Sequence, residues 1–310
     1  MAEPARRRPL KVGIQLPEVE YVAPWRTLAA MARKAEAVGF DSLWVGDHLL
    51  YRNPNDVPKG PWEAWTLMTA LAGVTERVEI GPLVACTSFH NPAMLAKKAA
   101  TLEEVSGGRL ILGLGAGWNE TEYRAYGFPY DNRVSRFEEA FTIIRTLLRE
   151  GEIDFHGRYY EAADCLLLPR GPRAEGPPLM IGSEGPRMLR ISLPHVQSWN
   201  AWYAWFGNRP ENLPPLLAKI DAACAEVGRD PATLEKTCAV FIAMSGAQGR
   251  IMGDPTDMGS PPITGTTEEL AETLWAYARA GIAHVQLILD PNTEAAIEEF
   301  APVLELLDRG

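Results

Sequence analysis

The chain has little histidine and little cysteine, five and four among 310 residues. The histidines are scattered with no HExxH pair, and Cys86, Cys165, Cys224 and Cys238 lack pairwise metal spacing. No metal site is therefore expected. Four such cysteines fit a reduced, cytoplasmic setting. No apolar run approaches the roughly 20 residues of a membrane span. Basic excess is missing too: 30 Lys and Arg stand against 40 Asp and Glu, a net charge of −10. With no basic stripe, nucleic acid is not an expected partner. Arg6-Arg7-Arg8 is the one basic cluster. It lies in a Pro-containing segment without an apolar h-region, so a charged, solvated end is expected rather than a signal sequence. GxxxxGK[ST] and GxSxG are absent, which removes P-loop hydrolysis and the nucleophile elbow as leads.

What the chain does have is alternation. Hydrophobic residues make up 46%, enough for a full core. Short apolar strands are expected at 10–16, 41–46, 78–85, 109–114, 178–182, 196–200, 237–244 and 283–289. Between them lie helical periods. The first follows Pro24 and ends at Gly39, with Leu28, Met31, Ala32, Ala35 and Val38 on one face. Others run near 62–75, from Asn91-Pro92 to Gly107-Gly108, and at 134–148, 186–193, 213–227, 266–281 and 293–307. Thr266 and Glu269 form a capping box. Eight strand–helix pairs in strict order predict an α/β fold, a closed parallel (β/α)8 TIM barrel, as one domain over residues 1–310. The surplus over about 250 residues falls at 151–177, where Asp154 to Tyr160 look like a hairpin, and at 245–265. Both are expected to shape the C-terminal mouth, the second as a lid or as a disordered insertion.

In such a fold chemistry sits at strand ends. Phe40-Asp41-Ser42-Leu43-Trp44-Val45-Gly46-Asp47-His48 is a buried strand ending in an acid and an imidazole, a candidate acid–base unit. Gly113-Leu114-Gly115-Ala116-Gly117-Trp118 is no dinucleotide motif, since Trp118 stands where GxGxxG needs glycine. It reads either as a tight turn or as bare backbone that a flat ring can approach. Gly182-Ser183-Glu184-Gly185-Pro186-Arg187 opens a helix and suits a phosphate, with Arg187 adding charge. Glu184 opposes an anion unless it points away. Arg133 and Arg136 either reach an anion or lie on a solvated helix face. Trp118, Trp199, Trp202 and Trp205 offer walls for a ring-shaped ligand. Cys86, with no base nearby, reads as packing.

Residues 37–48, 91–97 and 101–117, then Trp118-Asn119-Glu120, Glu122 and Gly127, resemble the luciferase-like monooxygenase superfamily. Ser106-Gly107-Gly108-Arg109-Leu110 is the most specific piece. The resemblance implies an oxidoreductase barrel that binds coenzyme F420 (a 5-deazaflavin), or alternatively FMN, at its C-terminal mouth. It places His48 near the reactive face of the ring and Asp47 in contact with it. A strand bulge at about Leu83-Val84, often with a non-proline cis peptide, would support the back of the ring. The Gly182–Gly185 turn matches the phosphate loop. Gly115 and Asn119 fall among the cofactor contacts, and Trp118 and Trp199 in the substrate pocket. Hydride transfer to or from a small molecule is expected with F420, oxygen activation with FMN, and a homodimer is the common assembly. A flavin-binding barrel without catalysis is the other alternative. Trp118 replaces a glutamate of the sugar-phosphate dehydrogenases. Val196-Gln197-Ser198-Trp199 lacks the acid common in this strand.

Overall fold

A computed structural model describes residues 8–52, 57–249 and 260–310. The elements are β1 (Lys11–Gln15), α1 (Trp25–Val38), β2 (Ser42–Val45), α2 (Ala64–Ala72), β3 (Glu79–Pro82), β4 (Ala85–Cys86), α3 (Pro92–Ser106) and β5 (Leu112–Gly115). There follow α4 (Glu120–Tyr126), α5 (Arg133–Glu150), β6 (Glu152–His156), β7 (Glu161–Leu166), β8 (Leu179–Ile181) and α6 (Pro186–Ser192). The chain ends with β9 (Ser198–Ala201), α7 (Leu213–Glu226), β10 (Glu235–Ala243), α8 (Thr267–Arg279), β11 (His284–Asp290) and α9 (Glu294–Arg309).

The sheet order is β3-β2-β1-β11-β10-β9-β8-β5-β4, all parallel. Ile80 of β3 also bridges Leu110 just before β5, through Ile80 N–H to the Arg109 carbonyl and Ile111 N–H to the Ile80 carbonyl, both 2.9 Å. The ring therefore closes, and β3 and β4 are two halves of one barrel strand. Helix ends fall where the capping residues put them. Gly39 and Gly107 terminate α1 and α3 at φ 107° and 65°, the left-handed region that favours glycine. The Asn91 side chain accepts from the Met94 N–H. Thr266 and Glu269 form the capping box of α8.

Inward-facing side chains stack in layers. Trp44 fills the lower barrel because Gly13 and Gly81 leave it room: a Cβ there would lie 2.6 Å from the Trp44 Nε1 and 2.8 Å from its Cζ3. The indole N–H donates to Ser42 Oγ at 2.7 Å, and Ser42 Oγ lies 2.7 Å from His284 Nε2. Above this, Asn200 Nδ2 donates to Thr237 Oγ1 (2.8 Å) and Gln286 Oε1 (2.6 Å). The Ser-Gly-Gly-Arg piece is structural. The Arg109 guanidinium donates to the carbonyls of Ala72, Thr75, Val78 and Ser106 and to Thr75 Oγ1, fastening the turns that enter β3 and β5.

Two expectations need correction, and one departure is placed. The hairpin (β6 and β7) forms, but it follows a helix and packs along α5, where Glu139 accepts the N–H groups of Arg158, Tyr159 and Tyr160. None of its residues lines the cavity at the mouth. Arg8 is no loose end. Its guanidinium, 4% exposed, pairs with Asp41 and Asp308, holding α9 to the start of β2, while Arg6 and Arg7 lie outside the described residues. The missing acid at Gln197 is remote from the mouth, since the Gln197 side chain accepts from the Leu179 N–H where β8 begins. Of the expected lid, residues 250–259 lie outside the described residues. Its flanks are bound by Ser245 to Glu299 and by the Ile242–Ile263 bridge. Among the described residues no helix is long and apolar enough to cross a membrane.

Candidate active site

At the C-terminal ends of the strands lies a cavity of about 390 Å³. Its floor is the Leu83–Val84 peptide, which is cis, at the position expected for the bulge. The glycines of the neighbouring strand ends make room for the Val84 side chain. A Cβ at Gly113, Gly115 or Gly182 would come within 2.8–3.0 Å of the Val84 methyl groups. Those glycines thus serve close packing of the floor.

Asp47 and His48 both line the cavity, but they are held by different partners. Asp47 Oδ2 accepts from the Cys86 N–H at 2.9 Å and lies 3.0 Å from His90 Nε2. It thereby ties the end of β2 to β4. His48 turns its Nδ1 to Glu122 Oε2 at 2.9 Å. Its ring packs at a tilt against Tyr51 and meets the edge of Trp118, with centroids 4.8 and 5.6 Å away. Glu122, 1% exposed, takes the N–H groups of Leu49 and Leu50 on its other oxygen. Glu18 accepts from Tyr51 Oη (2.7 Å) and Gln15 Nε2 (3.1 Å). Burial pulls the His48 pKa down, but Glu18, Glu122 and Asp47 together outweigh it and hold it above the ordinary imidazole value. Cys86 behaves oppositely: burial pushes its thiol up to about 12, so it packs as a neutral group against the Tyr123 hydroxyl 3.1 Å away.

Gly117, at φ +74°, is the tightest point of the turn after β5: a Cβ would sit 2.2 Å from the Tyr123 hydroxyl and 2.4 Å from Cys86 Sγ. Gly117→Ala is expected to lower stability by about 1–3 kcal/mol, read from denaturant midpoints at constant m.

The structure brings together most, not all, of the expected site residues. Asp47, His48, Leu83, Val84, Gly115, Trp118, Gly182, Ser183, Glu184 and Gly185 line the cavity. Trp199 does not. It is fully buried and donates its indole N–H to the Ser183 carbonyl at 2.7 Å, so Trp202 and Trp205 supply the aromatic wall instead. Asn119 caps α4 by accepting from Thr121 N–H and donates to the Leu50 carbonyl. Arg187 pairs with Glu138 at 2.6 Å, half exposed and outside the cavity. Glu184 is engaged by Lys219 at 2.9 Å. Arg133 donates to the Gly117 carbonyl and Arg136 pairs with Asp131. Glu18, Tyr51 and Glu122 were not singled out as site residues by sequence reasoning. Each acts through a partner far along the chain. Among the described residues no group of three or more His, Cys, Asp or Glu is placed to hold a metal ion.

A family model described as luciferase-like monooxygenase matches residues 10–250. The chain belongs to the luciferase-like monooxygenase family. It is 31% identical over 281 residues to a phthiodiolone/phenolphthiodiolone dimycocerosates ketoreductase of Mycobacterium tuberculosis, covering 83% of this chain and 71% of that relative. It is 39% identical over 189 residues to an F420-dependent glucose-6-phosphate dehydrogenase of Amycolatopsis mediterranei, covering 59% of this chain and 54% of the other. Among solved structures, an F420-dependent secondary alcohol dehydrogenase in complex with an F420-acetone adduct superposes with a TM-score of 0.79 at 22% identity. That match covers 96% of this chain and 99% of the other, a likeness of fold. The family's members are enzymes, and this luciferase-like chain is an enzyme of the oxidoreductase and monooxygenase kind.

Proposed function

We propose that this enzyme transfers a hydride between coenzyme F420 and a small organic substrate of the alcohol or carbonyl class. The observation that carries the reading is the cavity itself: a floor of Leu83–Val84, aromatic walls, and one imidazole held by a carboxylate at its side. Its volume lies in the range of cofactor and ligand sites. The donor set suits a flat, mostly apolar ring. Val84 and Leu83 offer an apolar face, Trp202, Trp205 and Met188 close the sides, and Asn200 and Ser183 offer polar contacts. Asp47, Leu83, Val84 and Gly115 would hold the ring, and the Gly182-Ser183-Glu184-Gly185 turn its phosphate end.

When bound, the 5-deazaflavin supplies hydride chemistry without oxygen activation. His48 carries the accompanying proton, taken from a substrate hydroxyl in oxidation and returned to the carbonyl oxygen in reduction. Trp118 walls the substrate side beside the imidazole. The homodimer implied by the resemblance belongs to the same reading.

Cofactor titration followed by tryptophan fluorescence and visible absorption tests it. The expected result is saturable quenching by F420 with a Kd in the micromolar range or below, corresponding to about −8 kcal/mol or stronger, and weaker binding of FMN. Retention of yellow FMN with no affinity for F420 would replace this reading by that of an oxygen-using monooxygenase.

A further inference from the structure

We propose that Glu122 is the positioning residue of His48, holding the imidazole by Nδ1 in one ring orientation and one tautomer so that Nε2 is the nitrogen that exchanges the proton in the cavity. The inference rests on the proton-carrying role given to His48 above, and it concerns a residue on a different element.

The geometry is specific. Glu122 lies on α4, 74 residues beyond His48, with its carboxylate buried at 1% exposure. One oxygen accepts the N–H groups of Leu49 and Leu50, and the other faces His48 Nδ1 at 2.9 Å. A carboxylate only accepts, so the hydrogen between the two groups sits on Nδ1. The second nitrogen, Nε2, then carries the lone pair of the neutral ring. The loop that bears His48 is fastened by the same helix a second and third time. Asn119 Nδ2 donates to the Leu50 carbonyl, and the Tyr126 hydroxyl reaches the Leu49 carbonyl. Tyr51 and Trp118 flank the ring, so rotation of the imidazole would break the Glu122 hydrogen bond and disturb both aromatic packings together.

Among the described residues, the charged and titratable groups around His48 come from four segments: Glu18 after β1, Asp47 at the end of β2, Tyr51 beyond it and Glu122 on α4. Asp47 bonds to Cys86 N–H and His90, and Glu18 to Tyr51 and Gln15. Glu122 is the carboxylate seated on Nδ1, and it therefore sets the tautomer as well as adding negative charge.

Glu122→Gln separates clamping from tautomer control. The glutamine carbonyl oxygen still accepts from Leu49 and Leu50, while its amide NH₂ now faces Nδ1 and donates to it. The measurement is ¹⁵N NMR of the histidine rings in the cofactor-free protein across pH, with the pH profile of kcat/KM alongside. In the wild type the neutral His48 ring is expected to carry its proton on Nδ1. In the variant the proton is expected on Nε2, with the titration midpoint lower by about 1–2 pH units, as loss of an adjacent charge produces, and the matching limb of the pH profile displaced equally. An unchanged tautomer and midpoint in Glu122→Gln, with activity lost only through lowered Tm, would overturn the proposal and leave Glu122 as a loop clamp. If tautomer and midpoint shift as stated while His48→Ala turns over normally, Glu122's positioning role stands and the proton-carrying role of His48 falls.

Discussion

His48→Ala is expected to lower turnover about 10²–10⁴-fold, the usual weight of a placed general acid–base group, while cofactor uptake stays within a few-fold of wild type. The two readouts separate because the residue is not part of the cavity floor. That floor is Leu83 and Val84 packed against glycines on β5 and just after β8, and its packing does not depend on the imidazole. The loop also survives the truncation, since Glu122 keeps the Leu49 and Leu50 N–H groups and Asn119 keeps the Leu50 carbonyl. A fall in Tm of a few degrees is expected, because the buried Glu122 carboxylate no longer has the imidazole as a hydrogen-bond donor. The hole between Tyr51 and Trp118 suits free imidazole, which should restore part of the rate. Steady-state kinetics with an alcohol and its ketone, beside fluorescence titration of the cofactor, measure both. Unchanged turnover with every substrate and cofactor tried would remove the proton-carrying role of His48.

The elements were legible because they are written locally. Gly39, Asn91-Pro92, Gly107 and the Thr266–Glu269 box each name a helix end within a few residues, and each forms as expected. The Asp47-His48 pair was legible for the same reason, as an abrupt polar stop to an apolar strand. The short helix α4 was not, and with it went the pairing of Glu122, named only as part of the resemblance, with His48. The seven residues Glu120–Tyr126 bury only Glu122 and Tyr123, too few for an apolar period to show. Trp199 marks a second limit. Parallel strands covered on both faces carry no alternation, and all four residues of β9 are buried. Nothing in the order Ser-Trp-Asn-Ala says which face is the barrel interior. The structure turns Asn200 inward to Thr237 and Gln286 and Trp199 outward to the Ser183 carbonyl. Arg187 failed differently. A charge beside a glycine turn suggests an anion site, but Glu138 on α5 reaches it first, and no local pattern announces a partner 49 residues back. The cavity is thus a product of long-range pairings between Glu18 and Tyr51, Asp47 and Cys86, and His48 and Glu122. Sequence reasoning saw one partner of most of them.

Acid sensitivity seated in the barrel interior should be the largest stability effect, and its source is His284. The ring is 1% exposed, with Nε2 2.7 Å from Ser42 Oγ. That hydroxyl already accepts the Trp44 indole N–H, and its own hydrogen is free to donate to Nε2 of a neutral ring. Burial, helped by Lys11, lowers the His284 pKa from the ordinary 6.5 to about 3. Above pH 6.5 the ring is neutral in folded and unfolded chains alike, and it adds no pH dependence. Between pH 6.5 and about 3 only the unfolded chain takes up the proton, so each unit of acidification removes up to about 1.4 kcal/mol. By pH 4 the loss is about 3 kcal/mol, a large share of a typical domain's stability. Below about 3 the dependence flattens as the folded ring protonates too. His284→Gln keeps an acceptor for the Ser42 hydroxyl and removes the titrating group. Its unfolding free energy is expected to be lower than wild type at pH 7.5 but to fall less steeply between pH 6.5 and 4, measured by urea denaturation at half-unit intervals. Equal slopes in the two proteins would mean that His284 is solvated enough to protonate in place, and that the Trp44–Ser42–His284 stack is looser than its distances indicate.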